Sequence, residues 1–277
     1  MINAPLGLRD YLPHEIQHRD ELIQKMADVA LSNGYERIIT PAIEHYDQLK
    51  PGLGDLSDTS IMFFDRTGSR LVLRPDHTTA IARIVSSRLS DELPVKLFYN
   101  DPVFRKDPLL GETEIFQFGV EHIGQFSIKD ECEMVVLLTQ MCESVGLDDY
   151  EIHVSHPDVF SNYSESELQG IKDGDFIALK NLPRKGGVDL AKDYDCLNQF
   201  FEYIESKNVA NVFLNLGLYK DPNYYNGIYF ELVSKSFGKV IASGGRYDSV
   251  LNAFGLDANA VGFAFRFHYL DRALTND

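Results

Sequence analysis

Two polar side chains with a glycine between them occur in the segment VFRKDPLLGETEIFQFGVEHIG, residues 103–124. A strand of period two would place Gln117, Gly119 and Glu121 together on one face. The opposite, apolar face would consist of Phe116, Phe118 and Val120. Because glycine has no side chain, we expect a hollow with an amide at one end and a carboxylate at the other. Two interpretations stay open: a polar pocket, or an outward, solvated face with a glycine bulge.

A lone arginine precedes these polar residues. The segment predicts a β-hairpin in which Val103–Lys106 turns through Pro108 and Gly111 into Glu114–Gly124. Arg105 lies near the end of the first arm. A guanidinium group can bind a carboxylate or a phosphate through two parallel hydrogen bonds. The hairpin therefore combines an amide, a carboxyl and a guanidinium group, a set suited to a small polar ligand.

Another polar stretch, LRPDHTT, lies where a strand is expected to meet a helix. Asp76 or Thr78 would cap that helix by accepting its first backbone N–H groups. The same two side chains could instead hold the amino group of a ligand. The residues alone leave both possibilities open.

Two further motifs combine glycines with aromatic or charged residues. In ASGGRYDS the glycines let the backbone approach a neighbour closely, and Arg246 and Asp248 are expected to form a structural ion pair on either side of Tyr247. In NYYNG a turn is expected to lead into a strand, with Tyr224 and Tyr225 on opposite sides.

Motifs of several common enzyme classes are absent. The sequence has no G-x-x-x-x-G-K-[ST] phosphate loop and no G-x-S-x-G nucleophile elbow, and GLGDLS lacks the third glycine of a dinucleotide loop. His153 and His156 have no acidic or cysteine partner at metal-site spacing. We therefore predict no metal site and no cofactor.

The periodicity indicates which elements position these groups. Helices are expected over residues 14–33, after Asp76, over 129–146 and in VGFAFRFHYLDRAL at the end. Strands joined by short turns favour a mainly antiparallel sheet covered by helices, an α+β fold. The polar, strand-poor segment 157–208 is expected to be a helical insertion in one domain that spans residues 1–277.

Length and composition fit one large domain. The 277 residues are 44% hydrophobic, and no apolar run approaches the roughly 18 residues of a membrane span. The N-terminus lacks the apolar segment of a secretory signal, so we expect a cytoplasmic protein. A net charge of −16 without a basic run argues against nucleic-acid binding as the main task. The three cysteines are expected to be buried or half-buried thiols.

Taken in order, these motifs resemble the catalytic core of histidyl-tRNA synthetase, a class II aminoacyl-tRNA synthetase. The similarity covers nearly the whole chain and rests on GLRDYLP, GYERIITPAIE around Pro41, LRPDHTTAIAR, FR…FQFGVEHIG, YYNGIYFE, SGGRYDS and VGFAF. Each motif is modest, but their joint order and spacing are specific. The resemblance implies the class II fold and a homodimer formed through the motif-1 region.

The resemblance also implies a histidine-binding site. Arg105 matches the motif-2 arginine that contacts the ATP α-phosphate and the substrate carboxylate. Other positions that match the family's histidine pocket are Asp76, Thr78, Gln117, Glu121, Tyr225 and Tyr247. The pocket interpretation of the polar strand face is therefore favoured over the solvated one.

Two positions depart from a synthetase that activates histidine with ATP. The hairpin has GETE where a further arginine is expected near Thr113, and we expect Glu112 and Glu114 to repel a triphosphate. The histidine-specific arginine is replaced by Lys220, followed by Asp-Pro. A lysine keeps the charge but cannot make the planar, bidentate contact.

The end of the chain departs as well. Tyr269 occupies the motif-3 arginine position, and Arg266 is expected one helical turn earlier, facing differently. The chain stops at Asp277, so we expect no anticodon-binding domain. We therefore predict no catalytic residues.

This combination resembles the synthetase-like regulatory subunits of ATP phosphoribosyltransferase, which acts in the first step of histidine biosynthesis. The resemblance implies a non-catalytic protein that supports a short-form catalytic subunit, assembles with it as a hetero-octamer of four plus four chains, and mediates feedback inhibition by histidine. Two alternatives stay open: a degenerate enzyme that makes a histidine adenylate, and a synthetase-like RNA sensor.

Overall fold

The computed structural model describes residues 4–106, 111–173, 185–220, 224–236 and 238–275. The strands in this part of the chain are β1 (Glu36–Arg37), β2 (Ile43–His45), β3 (Met62–Phe64), β4 (Arg70–Leu73), β5 (Val95–Phe104), β6 (Glu114–Gly124), β7 (Tyr150–Ser155), β8 (Val212–Leu214), β9 (Tyr229–Ser234), β10 (Val240–Arg246) and β11 (Asn259–Arg266). The helices are α1 (Pro13–Ser32), α2 (Tyr46–Leu53), α3 (Leu56–Thr59), α4 (His77–Ile84), α5 (Ile128–Val145), α6 (Glu165–Lys172), α7 (Val188–Ala191), α8 (Asp195–Ser206), α9 (Asp248–Ala253) and α10 (Phe267–Thr275).

The strands form one large and one small sheet. The large sheet has eight strands in the order β1-β5-β6-β11-β10-β9-β7-β8, and the small sheet has the order β2-β4-β3. Neighbouring strands are antiparallel except for the pairs β1–β5 and β7–β8. The predicted α+β fold with a mainly antiparallel sheet is confirmed.

Side chains alternate between two covered faces of the large sheet. Phe118 and Val120 of β6 pack in the main core, together with residues of α1, α5 and α8. Tyr99 of β5 lies on the opposite face, in a second cluster that includes residues of α4 and α9. The predicted burial of the apolar face of β6 is therefore confirmed. Its other face lies under α4 and α9 rather than in water.

Helix boundaries follow local capping signals. Asp76 caps α4 by accepting a hydrogen bond from the Thr79 N–H, as one of the two sequence interpretations expects. The α5 helix follows Ser127, whose N–H donates to the Asp130 carboxylate at 3.0 Å. It ends at Gly146, whose φ of +79° is a left-handed conformation that glycine adopts without strain.

Two predicted elements are wrong in their extent. The motif VGFAFRFHYLDRAL was expected to be one helix, but its first part belongs to β11 and the helix begins at Phe267. Large apolar side chains alternate along VGFAF, and β6 and β10 flank it on both sides, so it pairs as a strand. The strand expected in YERIITP is reduced to the two residues of β1.

The segment after β7 is helical where the structure describes it. A 3₁₀ turn (Pro157–Phe160) is followed by α6, α7 and α8, and β8 comes after them. Residues 174–184 lie outside the described residues, as does Pro108 of the expected hairpin turn. That residues 157–208 are an insertion in a single domain stays a prediction. Among the described helices, none has the length and apolar character to cross a membrane.

Candidate functional site

A cavity of about 150 Å³ lies on the face of the large sheet that α4 and α9 cover. All seven residues predicted for a histidine site line it: Asp76, Thr78, Arg105, Gln117, Glu121, Tyr225 and Tyr247. Gln117 is 7% exposed and Glu121 1% exposed, so the solvated-face interpretation is wrong. Cavities of about this size can hold a six-membered aromatic molecule. The structure thus brings the candidate residues together around a space that suits a small ligand.

Glycines on β10 and β11 form the floor beside Glu121. Gly262 is the Cα partner of Glu121, and a Cβ atom on it would lie 1.9 Å from Glu121 Oε2. A Cβ atom on Gly244 would lie 2.2 Å from the carbonyl oxygen of Gly262. Contacts this short are impossible for any larger residue without a shift of the backbone. The close approach predicted from ASGGRYDS is therefore made to the neighbouring strand.

Gly119 has a different role from the one expected. A Cβ atom on it would lie 2.3 Å from the hydroxyl oxygen of Tyr99, so the absent side chain makes room for a phenol and does not leave a hollow. The Tyr99 ring stacks on His77 with ring centroids 4.0 Å apart. Both rings line the cavity, and neither was predicted to do so.

Glu121 is a carboxyl group buried almost completely at the cavity. Its Oε1 accepts a hydrogen bond of 2.9 Å from the Thr78 hydroxyl, and its Oε2 accepts one from Tyr247. Burial raises the pKa of Glu121 to about 8, because desolvation outweighs the hydrogen bonds that favour the carboxylate, and Asp76 adds to the increase. The carboxyl therefore keeps its proton to a higher pH than an ordinary glutamic acid does. A bound cation would favour its ionised form.

Asp76 supplies a second acceptor. Its Oδ2 accepts from the Thr79 hydroxyl at 2.9 Å and from the Thr79 N–H at 3.3 Å. Its buried Oδ1 accepts no hydrogen bond from the described residues. Burial raises the pKa of Asp76, while Thr79 and the charge of Arg105 oppose this increase. A buried acceptor without a donor is costly, and the amino group of a ligand would satisfy it.

Arg105 is the cationic group of the cavity. It follows β5 directly and forms an isolated bridge with Ser60. Its Nη1 donates to the Pro75 carbonyl oxygen at 2.5 Å, which fixes the guanidinium group beside the start of α4. A carboxylate in the cavity could pair with this group.

Tyr224 and Tyr225 both line the cavity, although Tyr224 packs against the second cluster and Tyr225 against the main core. Their rings meet edge to face with centroids 4.8 Å apart. Together with Leu56 they also line a neighbouring cavity of about 570 Å³. These three residues therefore lie between the two spaces. Asn223, at the start of the expected turn, lies outside the described residues.

Glu112 and Glu114 do not face the cavity. They line a separate depression together with Arg9, Tyr11 and His268. His268 Nε2 lies 3.8 Å from Glu112 Oε1. The expected repulsion of a triphosphate by these carboxylates stays a prediction, and it would act outside the cavity.

Lys220 and Tyr269 are two further positions that depart from the synthetase pattern. Lys220 is paired with Glu231 of β9, so its charge is compensated within the protein. Tyr269 is buried in the main core. Arg266 ends β11 opposite Gln117 and is not placed one helical turn before Tyr269. Asp221 and Pro222 lie outside the described residues.

Arg246 belongs to the framework of the site. It pairs with Asp248 at 2.8 Å and with the buried Glu131 at 3.0 Å. Glu131 also accepts a hydrogen bond from the Ile228 N–H. The predicted structural ion pair is confirmed, and Glu131 is a partner that the sequence did not indicate.

A cluster of three potential metal ligands contradicts the expectation that His156 has no partner. His156 was expected to have no acidic or cysteine partner, but Asp158 and Cys196 bring one ligand atom each close to it. Cys196 was missed because it lies on α8, far along the chain. The three cysteines are free thiols, with Cys132 and Cys142 buried and Cys196 half-buried, as expected.

Similar proteins identify the family. Residues 7–172 and 166–270 match the family model of histidyl-tRNA synthetase. An ATP phosphoribosyltransferase regulatory subunit of Carboxydothermus hydrogenoformans is 30% identical over 98% of this chain and 96% of its own length. A protein of the same name from Caldanaerobacter subterraneus subsp. tengcongensis is 31% identical over 95% of this chain and 80% of its own length.

Solved structures agree with this relationship. A Bacillus halodurans protein described as an ATP phosphoribosyltransferase regulatory subunit/histidyl-tRNA synthetase superposes with a TM-score of 0.89 at 27% identity, over 99% of this chain and 83% of that one. The histidyl-tRNA synthetase of S. aureus has a TM-score of 0.75 at 21% identity, over 99% and 70% of the two chains, which supports the fold alone. The chain belongs to the family of ATP phosphoribosyltransferase regulatory subunits and has the class II fold of histidyl-tRNA synthetase.

Proposed function

We propose that this chain is a non-catalytic regulatory subunit that binds histidine in the cavity and thereby controls a short-form ATP phosphoribosyltransferase in the cytoplasm. The names of its relatives support the regulatory role. The observation that carries the ligand assignment is the buried carboxyl of Glu121 beside the unsatisfied Oδ1 of Asp76 and the guanidinium group of Arg105. Two carboxyl groups and one guanidinium group complement a ligand with a cationic amine, a carboxylate and a further polar group.

Each part of histidine has a complementary group in the cavity. Arg105 would pair with the carboxylate, and Asp76 and Thr78 would hold the amino end. Glu121 and Gln117 would hold the amino group or the imidazole. The ring would lie against Tyr225 and Tyr247. The aromatic walls supply apolar contact, and the buried polar groups supply specificity, because each of them is costly when it is left without a partner.

Histidine can regulate a complex only if it binds two states with different affinities. A difference of about 1–3 kcal/mol between the active and inhibited states would suffice. We expect a hetero-octamer of four regulatory and four catalytic chains, with regulatory homodimers formed through the motif-1 region. Large apolar side chains on the small sheet support the dimer, because Ile43, Met62 and Phe64 are exposed in the isolated chain.

Calorimetry with histidine tests the site directly. The variant Glu121→Gln should weaken histidine binding at least tenfold, since a charge-assisted hydrogen bond contributes about 1.5–3 kcal/mol. Glu44→Gln is the matched control, because Glu44 is also buried and paired with Arg83 at 2.7 Å, outside the cavity. Equal histidine affinity in the Glu121 variant and the wild-type protein would refute the site assignment.

Two assays separate this function from its rivals. Histidine-dependent exchange of pyrophosphate into ATP by the purified chain would identify an adenylate-forming enzyme. A salt-dependent gel shift with tRNA would identify an RNA sensor. The regulatory proposal predicts neither, and it predicts a gain in phosphoribosyltransferase activity when the chain is mixed with a short-form catalytic subunit.

A further inference from the structure

Three potential metal ligands converge outside the cavity, where the exit of β7 meets the first turn of α8. His156 is the N-cap of the 3₁₀ turn, and its Nδ1 lies 3.4 Å from Asp158 Oδ2. Cys196 approaches from α8. The three ligand atoms, one nitrogen, one oxygen and one sulfur, all lie within 4.8 Å of one another.

The distances between these atoms are close to those between the ligand atoms of a tetrahedrally coordinated ion. Bonds of about 2.0–2.3 Å to zinc place neighbouring ligands about 3.3–3.8 Å apart. The pair of His156 and Asp158 already has this separation. Cys196 would need to approach by only about 1 Å, which a change of side-chain rotamer can supply.

The charges around the cluster are compatible with a cation. The Asp158 N–H donates to His156 Nδ1 at 3.2 Å, so this nitrogen carries the lone pair of the ring, and an ion bound there would replace this hydrogen bond. Arg246 is close enough to His156 to disfavour a positive charge there, whereas Asp158 favours one. The charge of Arg246 is itself compensated by Glu131 and Asp248. The Asp158 side chain is 70% exposed, which leaves an open side for water.

We propose that His156, Asp158 and Cys196 bind one divalent metal ion of the zinc class, with water in the fourth position. A mixed nitrogen, oxygen and sulfur donor set suits Zn²⁺ or Co²⁺, whereas Mg²⁺ and Ca²⁺ prefer oxygen ligands alone. The ion would join the exit of β7 to the start of α8. This site is separate from the histidine cavity and does not depend on the proposed regulatory function.

Titration of the metal-free, full-length chain with Co²⁺ tests the proposal. We expect one equivalent to bind and to produce a thiolate-to-cobalt charge-transfer absorption band. Cys196→Ser should abolish the band. It should also weaken Zn²⁺ affinity at least about 100-fold, since changes to groups that merely support the ligands already cost about 10–100-fold.

His153→Gln is the matched control, because the His153 ring nitrogens contact Glu151 and Asn215 and take no part in the cluster. It should retain both the band and the Zn²⁺ affinity. Thermal unfolding of metal-free Cys196→Ser should match that of the metal-free wild-type chain. The proposal is overturned if the folded wild-type chain gives no charge-transfer band, or if the band persists in Cys196→Ser.

Discussion

The chemistry of the cavity depends most on the protonation of one residue. Glu121 is almost fully buried, and its pKa of about 8 reflects the loss of water around the carboxylate. Hydrogen bonds from Thr78 and Tyr247 hold the group in place. Such a carboxyl loses its proton more readily beside a cationic ligand than in its apolar surroundings alone. This property distinguishes Glu121 from an ordinary surface carboxylate.

The raised pKa of Glu121 predicts how stability depends on pH. The folded protein holds this proton up to a pKa of about 8, whereas the unfolded chain releases it near the usual glutamic acid pKa of 4.5. The stabilising contribution is therefore fully present below about pH 4.5 and is lost as the pH rises towards 8. In the wild-type protein, this loss should lower the free energy of unfolding by about 1 kcal/mol per pH unit between about pH 5 and 8. Glu121→Gln should not show this decrease.

Urea unfolding at several pH values, without histidine, measures this effect. The free energy of unfolding of the variant should rise relative to that of the wild-type protein as the pH increases. A constant difference between the two proteins from pH 5 to 8 would show that Glu121 titrates normally.

Individual residues also show what the sequence could and could not reveal. The seven predicted positions follow from motifs and strand alternation, and all of them line the cavity. Tyr99 could not be predicted there, because its place depends on a contact across strands with Gly119. The placement of Glu114 could have been predicted from the sequence. Glu114 lies seven positions before Glu121, and side chains an odd number of positions apart point to opposite faces of a strand.

At the scale of elements, three adjacent strands define the cavity floor. The register pairs Glu121 of β6 with Gly262 of β11, and Gly262 with Gly245 of β10. The small residues on these strands let the side chains of β5 and β6 lie close against the sheet. The strand β11 was mistaken for a helix because a short apolar run has no decisive period, and only its two neighbours in the sheet settle its conformation.

Gly119→Ala tests this close packing. The new methyl group would meet the Tyr99 hydroxyl at 2.3 Å and force the ring towards the cavity. We expect a loss of about 1–3 kcal/mol in the free energy of unfolding, as for other overpacked cores, together with weaker histidine binding. Thermal or urea unfolding and calorimetry measure the two effects.

Gly187→Ala is the control for this substitution, because a Cβ atom there would meet nothing within 4 Å. It should leave both quantities close to the wild-type values. Unchanged histidine affinity in Gly119→Ala would show that the Tyr99 ring does not shape the ligand site.

At the scale of the whole molecule, the chain combines a synthetase fold with a cavity in which Arg105 is the one cationic group among the described lining residues. The order of the motifs was enough to predict this fold, because their spacing constrains the entire sheet. The surface that meets a catalytic subunit could not be predicted in the same way. Such a surface depends on shape and exposure, and neither produces a periodic signal in one sequence.

Inhibition of the assembled complex by histidine tests the proposed regulation most directly. Short-form ATP phosphoribosyltransferase would be mixed with either the wild-type chain or Glu121→Gln, and its activity would be followed as histidine is added. We predict that both mixtures assemble and are active, and that the variant complex needs at least tenfold more histidine for half-inhibition. Inhibition of both complexes at the same histidine concentration would contradict the proposal that histidine acts through this cavity.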